Sequence, residues 1–343
     1  VKVAVVGIKR DYQKLDPDYV RTFNKYHLEI PFYYAELGGN DVTVTTTNYS
    51  SATEEFDSGG KFRNEAEQSY MGGHDVHRYD VVVHWRKFFP ELYHKDAINV
   101  LHTCDHTYPE DWKRDVRAAL SSGKLKKVIC YKGWHANQVG MELGLDPSQC
   151  LNLIETELTF GVDPEIYHPA TSKDPYAMLW SSDPGRGLLE AVKLAVKLYA
   201  RDRRFKLHVC HPDYTKMAPI VHPAIVWHGN VNNGPELWKL FNETGILPYT
   251  STFSEPSSRA ARQAQAAGSL VLYPPSMGTP SEYVRDMETG VMRPISQWID
   301  KIVELAGTPE ASRICKNAVD QALSESWQVQ ADRFNLRFKG EQA

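Results

Sequence analysis

In residues 255–268, EPSSRAARQAQAAG, a carboxylate and a polar amide bracket a run of small residues that a glycine closes. On a helix rising 1.5 Å per residue, Glu255 and Gln263 stand about 12 Å apart. That is the span of a sugar, a diphosphate and a ribose. Unpaired N–H groups at a helix N-terminus favour the diphosphate. The stretch therefore reads as a nucleotide-sugar cradle. Each residue also has a plainer explanation: Glu255 stabilised by the helix dipole, Pro256 initiating the helix, Arg259 pairing with Glu255 four residues away.

A second cluster is WSSDPGRG (180–187), a tight turn between a strand and a helix. Backbone amides and the Arg186 cation can meet phosphate oxygens there; otherwise it is a common βα turn with a solvated arginine. A third is VLHTCDHTYPEDW (100–112), which puts His102, Asp105 and His106 at the C-terminal end of a strand, where open α/β sheets bind ligands. The H-x-x-D-H spacing can ligate zinc, but no further ligand is evident, and histidines satisfying loop hydrogen bonds are the commoner case. Asp16-Pro-Asp18 precedes a helix and reads as an N-cap; His74, Asp75 and His77 read as solvated. The basic and aromatic stretch 85–89, WRKFF, can touch a membrane surface, with a partly buried loop as the default.

These clusters need a scaffold. A chain of 343 residues holds two domains of ordinary size, and 42% hydrophobic with 24% charged residues is a soluble globular profile. The net charge of −4 gives no reason to expect nucleic-acid binding. Five cysteines without C-x-x-C spacing suit a reducing compartment, and no run of 18 apolar residues spans a membrane. A cytoplasmic protein is expected, its chain beginning on a strand.

Apolar or β-branched runs predict strands at 1–6, 41–47, 79–84, 97–103 and 127–131, with a helix over 18–37, a long loop over 50–75 and a helix start at 134–135. The alternation resumes with strands at 177–180, 205–210, 225–228, 245–249 and 269–273, and helices at 187–199, 235–242 and 256–267. Turn-rich FGVDPEIYHPATSKDP marks the passage between the two series, and the tail 324–338 is helical and aromatic. Two βαβ series imply two doubly wound domains facing across a cleft.

The order FGVDPEIYHP (160–169), SSDPGRGL (181–188), WHGNV (227–231), SEPSSRAARQAQAAG (254–268) and GTPSEYVRDMETG (278–290) resembles retaining GT-B glycosyltransferases, most of all glycosyltransferase family 4. The resemblance covers residues 160–290 well and the first half more loosely. It implies an α/β fold of GT-B architecture, two Rossmann-like domains over 1–168 and 169–322, and a helix over 323–343 crossing back to the first. It implies transfer of a sugar from a nucleotide-diphosphate sugar, without a metal or further cofactor, to a glycan, lipid or small-molecule acceptor. Glu255 matches the glutamate that contacts the transferred sugar. Arg186 stands at the phosphate-binding lysine, Gly187 at the close turn and Glu282 at the loop glutamate, one residue further from Gly278 than usual. Ser257, Ser258, Arg259 and Gln263 complete the donor set, while Asp105 matches an H-D pair in which Cys104 replaces the histidine and His106 substitutes for it.

Two departures stand out. Gln263 replaces the ribose-binding glutamate and loses a charge-assisted bond, and Ser181 replaces an arginine, whose charge Arg259 or Arg262 can supply. The stretch YKGWHAN (131–137) resembles the family's S-x-W-H without its serine, in a structural role. A nucleotide-sugar epimerase or hydrolase of the same fold, or a non-catalytic nucleotide-sugar-binding module, are the alternative readings.

Overall fold

The computed structural model describes residues 2–7, 39, 41–46, 56–57, 61–62, 79–90, 93–105, 107–182, 184–210, 221–229, 231, 234–275 and 278–339. The helix expected over 18–37, Asp16, Asp18, His74, Asp75, His77 and His106 lie outside the described residues. Contacts divide the chain into two units, Val1–Gly161 with Trp327–Ala343, and Val162–Ser326. From sequence the passages were expected at 168/169 and 322/323.

In the first unit, the strands are β1 (Lys2–Gly7), β2 (Asp41–Thr46), β3 (Phe56–Asp57), β4 (Lys61–Phe62), β5 (Val81–Trp85), β6 (Ile98–His102), β7 (Lys127–Ile129) and β8 (Ile154–Glu155). They line up as β3-β4-β2-β1-β5-β6-β7-β8, and each neighbouring pair except β3–β4 is parallel. β3 and β4 correct the expectation of a strandless loop over 50–75: Phe56 and Phe62 pair across a short antiparallel ladder. β5, VVVHW, is buried at every position, as a β-branched run in the middle of a parallel sheet must be. Helices α1 (Glu110–Ser121), α2 (Lys132–Leu143) and α3 (Pro147–Leu153) follow, and Trp112, Val116, Leu120, Val139 and Leu143 share a core with Leu101 of β6 and Val128 of β7. α3 opens on a capping box in which Asp146 and Gln149 satisfy each other's backbone N–H.

The second unit holds β9 (Asp174–Ser181), β10 (Lys206–Cys210), β11 (Ile225–Gly229), β12 (Thr244–Pro248), β13 (Leu270–Tyr273) and β14 (Val291–Met292). They form a parallel sheet in the order β11-β10-β9-β12-β13-β14. Its helices are α4 (Leu188–Arg201), α5 (Pro235–Glu243), α6 (Arg259–Ala266), α7 (Trp298–Leu305) and α8 (Pro309–Leu323). α4 buries Leu188, Ala191, Val192, Leu194, Ala195 and Leu198, the three-and-four spacing of an amphipathic helix. The last helix, α9 (Trp327–Lys339), returns to the first unit, where Trp327, Phe334 and Phe338 join the core with Val81, Val100 and Phe160.

The strand orders fix where ligand chemistry belongs. In the second unit the chain leaves β9 toward β10 and β11, then restarts on the other side at β12. In the first it leaves β1 toward β2 and β4, then restarts at β5. A doubly wound sheet opens a crevice at such a reversal, beyond the C-terminal ends of the strands.

Candidate functional site

Arg186 follows β9 and Glu255 follows β12, so both stand at the reversal of the second sheet. Arg186 Nη1 donates to Glu255 Oε1 in an ion pair. The carboxylate side is buried, at 5% exposure, while the arginine side chain is 46% exposed. The described ion-pair partner of Glu255 is Arg186. The Tyr249 hydroxyl, at the end of β12, is pushed well above its ordinary pKa by burial, with the charge of Glu255 and a hydrogen bond to it adding to the effect. It remains a neutral phenol beside the carboxylate.

Two glycines let backbones close around this pair. Gly187 has φ of 90° and a Cβ there would run into the backbone carbonyl of Thr250; instead Thr250 Oγ1 donates to Gly187 O at 2.6 Å. Gly278, at φ of 150°, lies where a Cβ would stand 2.9 Å from Glu255 N, and the neighbouring Thr279 N–H donates to Glu255 O at 3.0 Å. The loop carrying Glu282 is thus fastened to the backbone of Glu255. Glu282 itself is exposed.

α6 begins at Arg259 rather than at Pro256. Ser258 is its N-cap, accepting from Ala261 N–H at 3.3 Å, and Pro256 stays outside the helix. A serine hydroxyl satisfies an orphan donor and proline does not, so the cap sets the boundary. Tyr283 OH donates to Ser258 O at 3.1 Å and accepts from Ser258 N at 3.2 Å, fixing the cap from the other side. Ser257 and Gln263 are half-buried on either side of the first turns. Arg262 is buried to 2% exposure with its guanidinium 4.3 Å from the Tyr283 ring centroid. It packs inward, while Arg259, the other cation suggested for the phosphate, is half-exposed at the helix start.

The first unit gathers its own strand-end cluster. His102 turns inward, fully buried with its ring edge-on to Trp85 and Tyr131, and burial with the neighbouring His135 pushes its pKa down to about 3. Asp105 is half-exposed and bound by Arg86 through Nε at 2.9 Å and through Nη2. Among the described residues no three metal-ligating side chains converge. The stretch 85–89 is largely interior, with Trp85, Phe88 and Phe89 buried.

Reasoning from sequence missed Arg86 and Tyr249 as parts of these sites, and gave His135, within 131–137, a structural role without its partners. His135 opens α2 and accepts from Tyr131 N–H at Nδ1, 3.0 Å, so that Nε2 carries the proton it donates to Asp105 O at 2.6 Å. The signal was present in Trp134-His135, but a lone histidine on a helix does not announce its partner.

No family model matches the chain, and no curated protein matches its sequence. Solved structures match its fold. A glycosyltransferase from Rickettsia africae has a TM-score of 0.69 at 16% identity, over 99% of this chain and 98% of that one. HepE from Anabaena, solved in complex with UDP and glucose, has a TM-score of 0.67 at 14% identity over 99% of both chains. TarM has a TM-score of 0.71 at 11% identity over 98% of both. The chain has the GT-B architecture of two Rossmann-like α/β domains.

Proposed function

We propose that the chain is a retaining glycosyltransferase, similar to family 4, that moves a sugar from a nucleotide-diphosphate sugar to an acceptor. The observation that carries this reading is the Arg186–Glu255 pair at the reversal of the second sheet, framed by Gly187 and Gly278. Glu255 contacts hydroxyls of the transferred sugar. Arg186 and the start of α6 stabilise the departing diphosphate, electrostatic stabilisation of developing charge that calls on no metal. Ser257, Ser258, Arg259, Gln263 and Glu282 complete the donor site. Asp105 and His106, in the first unit, join Glu255 and Arg186 as catalytic residues facing the donor sugar or the acceptor, and the protein acts in the cytoplasm.

The pairing itself supports the reading. A buried carboxylate held by a half-exposed cation can exchange that cation for sugar hydroxyls when a diphosphate arrives to occupy the arginine. The likeness to HepE, which was solved with UDP and glucose, supports the donor class. A thermal-shift screen over nucleotide-diphosphate sugars tests it, since a ligand that binds the native state raises its melting temperature with concentration. The expected result is stabilisation by one or a few donors and transfer once an acceptor is supplied. Change of the donor alone would place the protein with epimerases or hydrolases, and stabilisation by no donor would overturn the reading.

A further inference from the structure

Arg86 follows β5 directly, at the reversal of the first sheet, as Glu255 follows β12 in the second. Its backbone is left-handed, with φ of 67°, a strained conformation for an arginine that persists only where neighbours impose it. They do so from three elements. Arg86 N–H donates to His102 O on β6 at 2.8 Å, and Trp112 Nε1 on α1 donates to Arg86 O at 2.8 Å. The guanidinium is gripped by Asp105, whose own carbonyl accepts from His135 Nε2 on α2 and from the Tyr108 hydroxyl.

The result is a two-point, half-open pair: 38% of the arginine side chain and 34% of the aspartate side chain remain exposed. Nε and Nη2 are spent on the carboxylate, and Nη1 makes no hydrogen bond among the described residues. Each carboxylate oxygen keeps a lone pair beyond the one Arg86 uses. The charges cancel within the pair, so a free anion gains little there. A hydroxyl both accepts and donates, and two adjacent hydroxyls on one ring can meet Nη1–H and a carboxylate oxygen together.

We propose that Arg86 and Asp105 form a hydroxyl-binding pair that holds a polyhydroxylated ring at the open end of the first sheet. That this ring is the acceptor, making the acceptor a sugar or cyclitol rather than a simple lipid alcohol, rests on the glycosyl-transfer reading.

The test is a ligand-observed NMR titration of the whole chain with methyl glucoside, methyl mannoside, methyl galactoside and inositol, and with inorganic phosphate as the anionic probe. The expected result is binding of at least one polyol, not displaced by phosphate. Arg86→Gly removes the guanidinium and relieves the left-handed strain, so it retains its melting temperature while polyol affinity falls about tenfold, the loss of one charge-assisted hydrogen bond. Asp105→Asn weakens the same polyol and, by leaving the guanidinium uncompensated, opens the site to phosphate. Absence of polyol binding to the wild type, unchanged affinity in a folded Arg86→Gly protein, or displacement by phosphate from the wild type overturns the proposal. A separate titration of the wild type with UDP-sugars tests the donor reading, which can fail while the hydroxyl-binding pair stands.

Discussion

Arg186 and Glu255 meet although they belong to different βα connections: the first leaves β9 and the second leaves β12. Because β9 and β12 are neighbours with the chain departing from them in opposite directions, their loops converge at one point. Arg186→Ala strips the cation from a carboxylate that is 5% exposed. Transfer should fall about 10²–10³-fold, as when one group stabilising developing charge is lost. Stability should drop by about 1–2 kcal/mol, less than for a fully buried pair because the arginine is partly solvated. Steady-state kinetics and urea unfolding measure both, and wild-type turnover by the variant would sink the assignment.

Gly187→Ala is expected to be costlier than its size suggests. The residue sits at φ of 90°, and the added methyl meets the Thr250 carbonyl, which is backbone and has little room to give. Left-handed strain and the forced shift together predict a loss of about 1–3 kcal/mol in urea unfolding, with weaker donor binding as the turn moves. Thr250→Val, which removes only the hydroxyl that donates to Gly187 O, should cost about 1 kcal/mol. A Gly187→Ala protein as stable as wild type would mean that the turn is not held as described.

How much of this was legible beforehand depended on how far apart the cooperating residues lie in sequence. The strands and helices of the second unit were readable because each carries its own period: β13, LVLY, is a continuous apolar run, and α4 repeats at three and four. Arg186 and Glu255 were readable as strand-end charges, but their mutual bond was not, since it depends on which strands are neighbours. Arg86 and Asp105 were separated for the same reason: only the β5–β6 ladder brings them together, and the local pattern WRKFF, read by default as a partly buried loop, named no partner for Arg86. The start of α6 was misplaced because Pro256 and Ser258 are both initiation signals, and only the bond to Ala261 N–H decides between them.

Arg262 offers a contrast between charge and shape. It is buried over the Tyr283 ring, and burial pulls its pKa below the usual arginine range without removing its charge. Arg262→Met keeps much of the volume and discards the desolvation cost, so its stability should lie within about 1 kcal/mol of wild type. Arg262→Ala leaves a cavity under Tyr283 and should lose about 2–4 kcal/mol. Donor affinity should follow Arg259→Ala more closely than Arg262→Met. Equal loss of affinity in the two would return Arg262 to the phosphate site.

Acid should weaken the first unit before it reaches the carboxylates. His84 accepts from Phe89 N–H at Nδ1, 3.3 Å, and burial pushes its pKa down to about 4 from an ordinary 6.5. His102, enclosed by Trp85 and Tyr131, is pushed to about 3. Below pH 6.5 the unfolded chain takes up protons on both rings while the folded chain does not, so folding loses free energy as pH falls. The stability each neutral ring contributes is complete above pH 6.5 and is lost progressively toward its folded pKa. At pH 5 each should cost about 2 kcal/mol relative to pH 7. His102→Phe preserves a ring between the same neighbours and removes the titration, so urea midpoints measured from pH 7 to pH 5 should fall less steeply than in the wild type. An unchanged slope would show that protons enter elsewhere, and that His102 is not the buried neutral ring its surroundings require.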